Sequence, residues 1–453
     1  MVSSARPARG PLWVYSIAWW CLTPLLLVSL LWRAWRQPGY LSAWPERFGW
    51  ITRRSGVARQ LLWVHAVSVG ETRASESLVR ALAARWPDAE LLLTHMTPTG
   101  RATGATVFAD LISAGRLRQA WLPWDYPGAS RRFLARMRPT LGMLIETEVW
   151  PNLLAAANRQ RVPMALVNAR LSERSLRKGL RWRWLIEPAL QGLDLVLAQT
   201  PSDASRLAHL GRQAVPVVGN LKFDIEPPAA MIARGIRWRE CLLSLGTRQG
   251  VIVVASARDG EESMFLDAWR QHVGLTVDSS RPLLVIVPRH PQRFDQVVEL
   301  ARAQGWRTSR RSAFGEGDPD LSAAQSDVMV GDSMGEMFAW YAVGDAAFFG
   351  GSFAPLGGQN LIEACAVGCP VVLGPHTFTF EQISEDAVSA DAAVRVGNAA
   401  DALAQALALV ENSGRRQQVS AAALAFAAQH RGATQRTVAS LAPLVERPVS
   451  RSA

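Results

Sequence analysis

What most restricts the fold of this chain is a set of short apolar runs that do not alternate with polar residues. Five come first: LLWVHAV at 61–67, ELLLTHM at 90–96, LGMLIET at 141–147, PMALVNA at 163–169 and LDLVLAQ at 193–199. After a gap come VIVVAS at 251–256, PLLVIVPR at 282–289, DVMVGD at 327–332, DAAFFGGS at 345–352 and PVVLGP at 370–375. A strand with one wet face alternates, so unbroken apolarity marks strands covered on both sides, as in a parallel sheet flanked by helices.

Two such series within 453 residues exceed what one core usually organises. They predict an α/β chain of two Rossmann-like domains facing each other across a cleft, with ligands bound beyond the carboxyl ends of strands. The segment DIEPPAAM at 224–231, with two adjacent prolines, reads as the linker. The expected division is an N-terminal membrane anchor at 1–36, an N-terminal domain at 37–228 and a C-terminal domain at 229–445. An alanine-rich stretch of helical spacing at 399–430 closes the second domain.

Residues 11–32, PLWVYSIAWWCLTPLLLVSLLW, carry no charge over 22 positions, and a bilayer crossing needs about 20. A cleaved signal peptide fits less well, because RAWRQPGY follows where small cleavage-site residues are needed. Arg6 and Arg9 precede the run, whereas Arg33, Arg36, Arg47, Arg53 and Arg54 follow it. The positive-inside bias then puts the body of the protein in the cytoplasm. Pro24 and the tryptophans at 13, 19, 20 and 32 also suit a shallow or re-entrant anchor.

The net charge of +11 is spread along the chain and favours an anionic partner. No basic run is interleaved with aromatics, which disfavours nucleic acid and leaves a membrane or a phosphorylated substrate. Cys21, Cys241, Cys365 and Cys369 are too irregularly spaced for a disulfide framework or a zinc site. No G-x-G-x-x-G follows the first strand and no G-x-x-x-x-G-K-[ST] exists, which counts against dinucleotide enzymes and P-loop NTPases. The one Asp-x-Asp, at 318–320, lies among Gly, Pro and Ser, so no catalytic metal and no cofactor are expected.

Several strand ends carry chemistry. In HAVSVGE, Gly70 allows a tight turn and Glu71 opens a helix. Glu71 is either an acidic residue that favours a helix N-terminus or a general base that the same field keeps ionised. ETEVWPN places Glu146 and Glu148 two apart, on one side of the chain if extended; they are either site carboxylates or one exposed and one salt-bridged glutamate. GNLKFD holds Lys222, one of two lysines among 49 basic residues: either a compact ammonium required by a site next to the linker or a lysine placed there by chance. In the second half, VPRHP presents Arg289 and His290 to an anion, while Ser333 and Glu336 of GDSMGEM read as a capping box. GGSFAPLGGQNLIEA sets Gly350, Gly351, Gly357 and Gly358 before a helix begun by Asn360, a loop whose N–H groups can approach phosphate, with Glu363 one turn on for ribose hydroxyls.

Taken in order, HAVSVGE, MTPTG, ETEVWPN, NARLS, GNLKFD, DGEES, VPRHPQRF, GDSMGE, GGSFAPLGGQN and GPHTF closely resemble the 3-deoxy-D-manno-octulosonic acid (Kdo) transferases of Gram-negative bacteria. The resemblance covers almost the whole chain, anchor included. It implies a GT-B glycosyltransferase that moves Kdo from CMP-Kdo to lipid IVA, the lipid A precursor of lipopolysaccharide, with inversion and without metal. By the family pattern Glu71 is the proton acceptor, and Glu146 and Lys222 stabilise the transition state. The CMP-binding positions correspond to Pro288 and Arg289, to Met334, Gly335 and Glu336, and to Asn360, Leu361, Ile362 and Glu363. Gln359 departs from the pattern, since many relatives carry histidine after the two glycines. Two other readings are a GT-B lipid glycosyltransferase with a different nucleotide sugar and a non-enzymatic, membrane-anchored lipopolysaccharide scaffold.

Overall fold

The computed structural model describes residues 10–54, 59–245, 248–274 and 281–447, and within them the strands form two wholly parallel sheets. The first contains β1 (Leu61–His65), β2 (Glu90–His95), β3 (Leu117–Trp121), β4 (Leu141–Ile145), β5 (Met164–Ala169) and β6 (Leu195–Ala198), in the order β3-β2-β1-β4-β5-β6. The second contains β7 (Val251–Ala257), β8 (Leu283–Pro288), β9 (Thr308–Arg310), β10 (Val328–Val330), β11 (Ala346–Phe349), β12 (Val371–Leu373) and β13 (Ala393–Arg395), in the order β13-β12-β11-β7-β8-β10-β9. With candidate residues at the strand ends, these sheets have the α/β GT-B architecture.

The unbroken apolar runs are the buried strands. Every residue of β1, β4 and β8 is buried. Helices cover both faces: Trp63 of β1 meets Phe133 edge-on at 5.0 Å, and Phe348 of β11 stacks on Phe265 at 4.6 Å. The three strands absent from the sequence reading, β3, β9 and β13, all lie at sheet edges. Their partial exposure dilutes the apolar signal, so Leu117–Trp121 reads LRQAW and Thr308–Arg310 reads TSR.

The chain forms two compact units, one running to Asp224 and resuming at Gly432, the other spanning Ile225–Arg431. Sequence reasoning carried the second domain on to residue 445. In the structure the helix Ala433–Val445 buries Ala433, Leu441, Leu444 and Val445 in the same core as Leu78, Val79 and Leu82 of the helix Glu76–Arg85, in the first unit. Its start is fixed by Asp224, whose carboxylate accepts the N–H of Gly432 at 2.8 Å and of Thr434 at 2.6 Å. The helices Ala399–Glu411 and Ser413–His430 pack within the second unit.

The helix Gly10–Arg36 runs unbroken through Pro24 and is long and apolar enough to cross a membrane. One face lies on the first unit. Tyr15 donates to Asp125 Oδ2 at 3.0 Å, Ser16 to Asn152 Oδ1 at 3.1 Å, and the hydroxyls of Thr23 and Tyr126 are 2.6 Å apart. Leu30 is buried with Trp124, Tyr126 and Ala129. The rest of the helix exposes Trp13, Ile17, Trp20, Leu25, Val28 and Leu31. Arg6 and Arg9, part of the topology reading, lie outside the described residues.

Candidate active site

The first unit gathers its candidate residues beyond β1, β4 and the segment after β6. Ser68 caps the helix Val69–Ala74, its hydroxyl accepting the N–H of Glu71 at 3.4 Å. Glu71 reaches back, and its Oε2 accepts the N–H of Val67 at 2.6 Å. Ser68 to Glu71 is therefore a capping-box variant, with the reciprocal bond going to the residue before the cap. The MTPTG segment braces this turn: Thr97 caps the helix Pro98–Val107 and donates to the Val67 carbonyl at 3.1 Å. Gly100 permits the close fit, because a Cβ there would lie 3.1 Å from the Val67 oxygen and 3.2 Å from the Ser68 carbonyl carbon.

Burial pushes the Glu71 carboxyl above its ordinary range; the Val67 N–H opposes this, Glu148 and Glu146 push further upward, and His65 pulls back. The expectation that the helix start keeps Glu71 readily ionised is thus corrected. Desolvation, aided by two more carboxylates, outweighs the Val67 N–H and His65. The shift makes the ionised form a stronger proton acceptor, which suits a general base.

Glu146, the first residue after β4, has φ 63°. A side-chain-bearing residue in this left-handed conformation costs about 1–2 kcal/mol. Its carboxylate pairs with Lys222 at 2.6 Å. The turn also overrides the expectation that Glu146 and Glu148 lie on one side of an extended chain. Glu148 instead accepts the Trp150 indole N–H at 2.8 Å and lies 3.8 Å from Nε2 of the buried His65. Lys222 sits in the short turn Leu221–Phe223. Oδ1 of Asn220 accepts the Lys222 N–H at 3.0 Å, and Oδ1 of Asn168 accepts the Leu221 N–H at 3.0 Å. Neither His65 nor Asn168 was singled out from sequence, although each lies inside a quoted motif, HAVSVGE and NARLS.

In the second unit the candidate residues follow neighbouring strands. Pro288 closes β8, and the exposed Arg289 follows, its N–H donated to Ala257 of β7 at 2.8 Å. After β10 come Met334, 59% exposed, and Gly335, at φ 84°. The capping box expected at 333–336 is not formed. The helix Met337–Val343 starts after Glu336, with no side-chain cap. The Glu336 carboxylate instead accepts two N–H groups of Arg311 at 2.9 and 2.8 Å, one of Arg234 at 2.9 Å, and the Ser333 hydroxyl. Burial alone would raise this carboxyl, but the bonds from Arg311 and Ser333 prevail and hold it below its ordinary range.

The loop after β11 leads to Asn360, whose Oδ1 accepts the Ile362 N–H at 3.2 Å. The helix is only Ile362–Ala366, so it begins two residues later than expected, and Leu361 and Ile362 turn into the core. Glu363 lies in its first turn. Burial, then Glu363, push the hydroxyl of the enclosed Tyr341 up, and Arg289 opposes them.

Two parallel α/β units with polar residues at their strand ends are the GT-B fold. The crystal structure of a glycosyltransferase from Rickettsia africae superposes with a TM-score of 0.55 at 11% identity, covering 86% of this chain and 100% of the other, a likeness of fold. A family profile described as 3-Deoxy-D-manno-octulosonic-acid transferase (kdotransferase) matches residues 42–225. The 3-deoxy-D-manno-octulosonic acid transferase of Bordetella pertussis is 48% identical over 94% of this chain and 98% of its own length. The Haemophilus influenzae enzyme of that name is 32% identical, over 94% and 97%. The chain belongs to the 3-deoxy-D-manno-octulosonic acid (Kdo) transferase family and is a glycosyltransferase.

Proposed function

We propose that the protein transfers Kdo from CMP-Kdo to lipid IVA, with inversion and without metal. The observation that carries this reading is the Glu71 carboxylate, anchored by one backbone N–H, raised in pKa by burial, and accompanied by the Glu146–Lys222 ion pair. Glu71 takes the proton of the acceptor hydroxyl as the sugar bond forms. Glu146 and Lys222 stabilise the charge that develops in the transition state.

CMP binding belongs to the second unit, at Pro288–Arg289, Met334–Glu336 and Asn360–Glu363. Glu336 already serves three protein partners and so acts there by shaping the backbone of Met334 and Gly335, while Arg289 is the cation for the phosphate. The division into anchor, acceptor domain and donor domain follows from this assignment. The exposed apolar side of Gly10–Arg36 supports anchoring in the inner membrane, with the catalytic body on the cytoplasmic face. The lipid chains of the acceptor then stay in the bilayer while its headgroup reaches the first unit. Incubating the purified protein with CMP-Kdo and lipid IVA should give a product heavier by whole Kdo units; no mass increase refutes the assignment.

A further inference from the structure

Arg258, directly before the DGEES motif at 259–263, lies at the end of β7 beside the glycine loop. β7 ends irregularly: its pairing with β8 shifts between Val254 and Ala257, and Ser256 takes the left-handed conformation at φ 54°. Such strain in a residue with a side chain persists only where its surroundings enforce it, and it gathers at ligand sites. Here the bulge turns Arg258 toward the glycine loop. A Cβ on Gly351 (φ 78°) would lie 3.5 Å from Cδ of Arg258, so the arginine stem runs over the loop backbone.

A single buried carboxylate locks the two together. Glu261 accepts the N–H of Arg258 at 3.0 Å and those of Gly351, Phe353 and Ala354 at 2.7, 3.0 and 3.2 Å. Among the described residues the Arg258 guanidinium makes no hydrogen bond or ion pair. Its neighbour on the adjacent strand end is Arg289, whose N–H is bonded to Ala257.

We infer that Arg258 is a further donor-binding residue and holds the carboxylate of the transferred sugar acid. The inference rests on the CMP-Kdo reading above. That donor carries two anionic groups, a phosphate and the carboxylate of the octulosonic acid. Arg289 is assigned to the first, which leaves the second for the fork-shaped guanidinium over the glycine loop.

The test is calorimetric binding of CMP and of CMP-Kdo to the full-length protein and to Arg258→Gln and Arg258→Lys, with Kdo transfer by the unaltered protein run alongside. Arg258→Gln should weaken CMP-Kdo by roughly ten- to a hundredfold and leave CMP within about twofold, since only the sugar acid loses its charged partner. Arg258→Lys, which keeps the charge without the planar fork, should fall between. Equal weakening of CMP and CMP-Kdo, with unfolding midpoints unchanged, would make Arg258 a phosphate ligand and overturn the carboxylate assignment. Unchanged CMP-Kdo binding overturns it as well. Failure of the unaltered protein to transfer Kdo while it still binds CMP-Kdo counts against the proposed reaction alone.

Discussion

The chain contains the quartet S-x-x-E at 68–71 and again at 333–336, and the two are used in opposite ways. In the first unit Ser68 caps a helix and Glu71 rests on one backbone N–H, among other carboxylates, with its pKa raised. In the second, Ser333 caps nothing and Glu336 is gripped by Arg311 and Arg234, with its pKa lowered. A carboxylate left short of cations is prepared to exchange a proton, whereas one saturated with them is a structural fixture. The local pattern is the same, and the tertiary neighbours decide.

The largest effect should come from removing the exchangeable carboxylate. Glu71→Gln is expected to lower the turnover of Kdo transfer by about 10²–10⁴-fold, with CMP affinity by calorimetry unchanged. Near-normal turnover would place the base elsewhere. Glu336→Ala should act on stability instead, because it strands the buried Arg311 without its partner. A loss of about 3–5 kcal/mol is expected, on the order of 10 °C in the unfolding midpoint.

Acid should separate the two sites by sign. The depressed pKa of Glu336 gives a contribution to stability that is present above its ordinary 4.5 and lost as pH falls through the folded value. The raised pKa of Glu71 gives one that is present below 4.5 and lost as pH rises through its folded value. In the pH–rate profile, protonation of Glu71 forms the acid limb. Glu148→Gln removes a neighbouring negative charge and should move that limb to lower pH; His65→Leu should move it higher. The smallest contrast is Ser68→Ala against Ser333→Ala, read by thermal unfolding. The first should cost about 0.5–1 kcal/mol through the lost helix cap, and the second should leave its helix unaffected.

The sequence made the architecture legible where burial is symmetrical. Strands such as Leu61–His65 and Leu283–Pro288 are covered on both faces and announce themselves as unbroken apolar runs, whereas the partly exposed edge strands β3, β9 and β13 do not. Glu71, Glu146 and Lys222 were found as residues at strand ends, but their environments were not. The direction of the Glu71 shift depends on Glu148, Glu146 and His65, which come from separate segments, and a backbone turn at Glu146 cannot be read from ETE. The capping box expected at 333–336 failed for the same reason, since Arg311 and Arg234, which hold Glu336, lie 25 and 102 residues away from it in sequence.

Asp224 ties the last residues before the second unit to the first residues after it, so about two hundred residues emerge from and return to one spot on the first unit. On the ribosome this makes the order of assembly asymmetric. The second unit can fold as soon as it has cleared the exit tunnel, but the first lacks the helix Ala433–Val445 until the whole second unit has been synthesised. Leu78, Val79 and Leu82 await their partners until then, and the domain translated first is the one completed last.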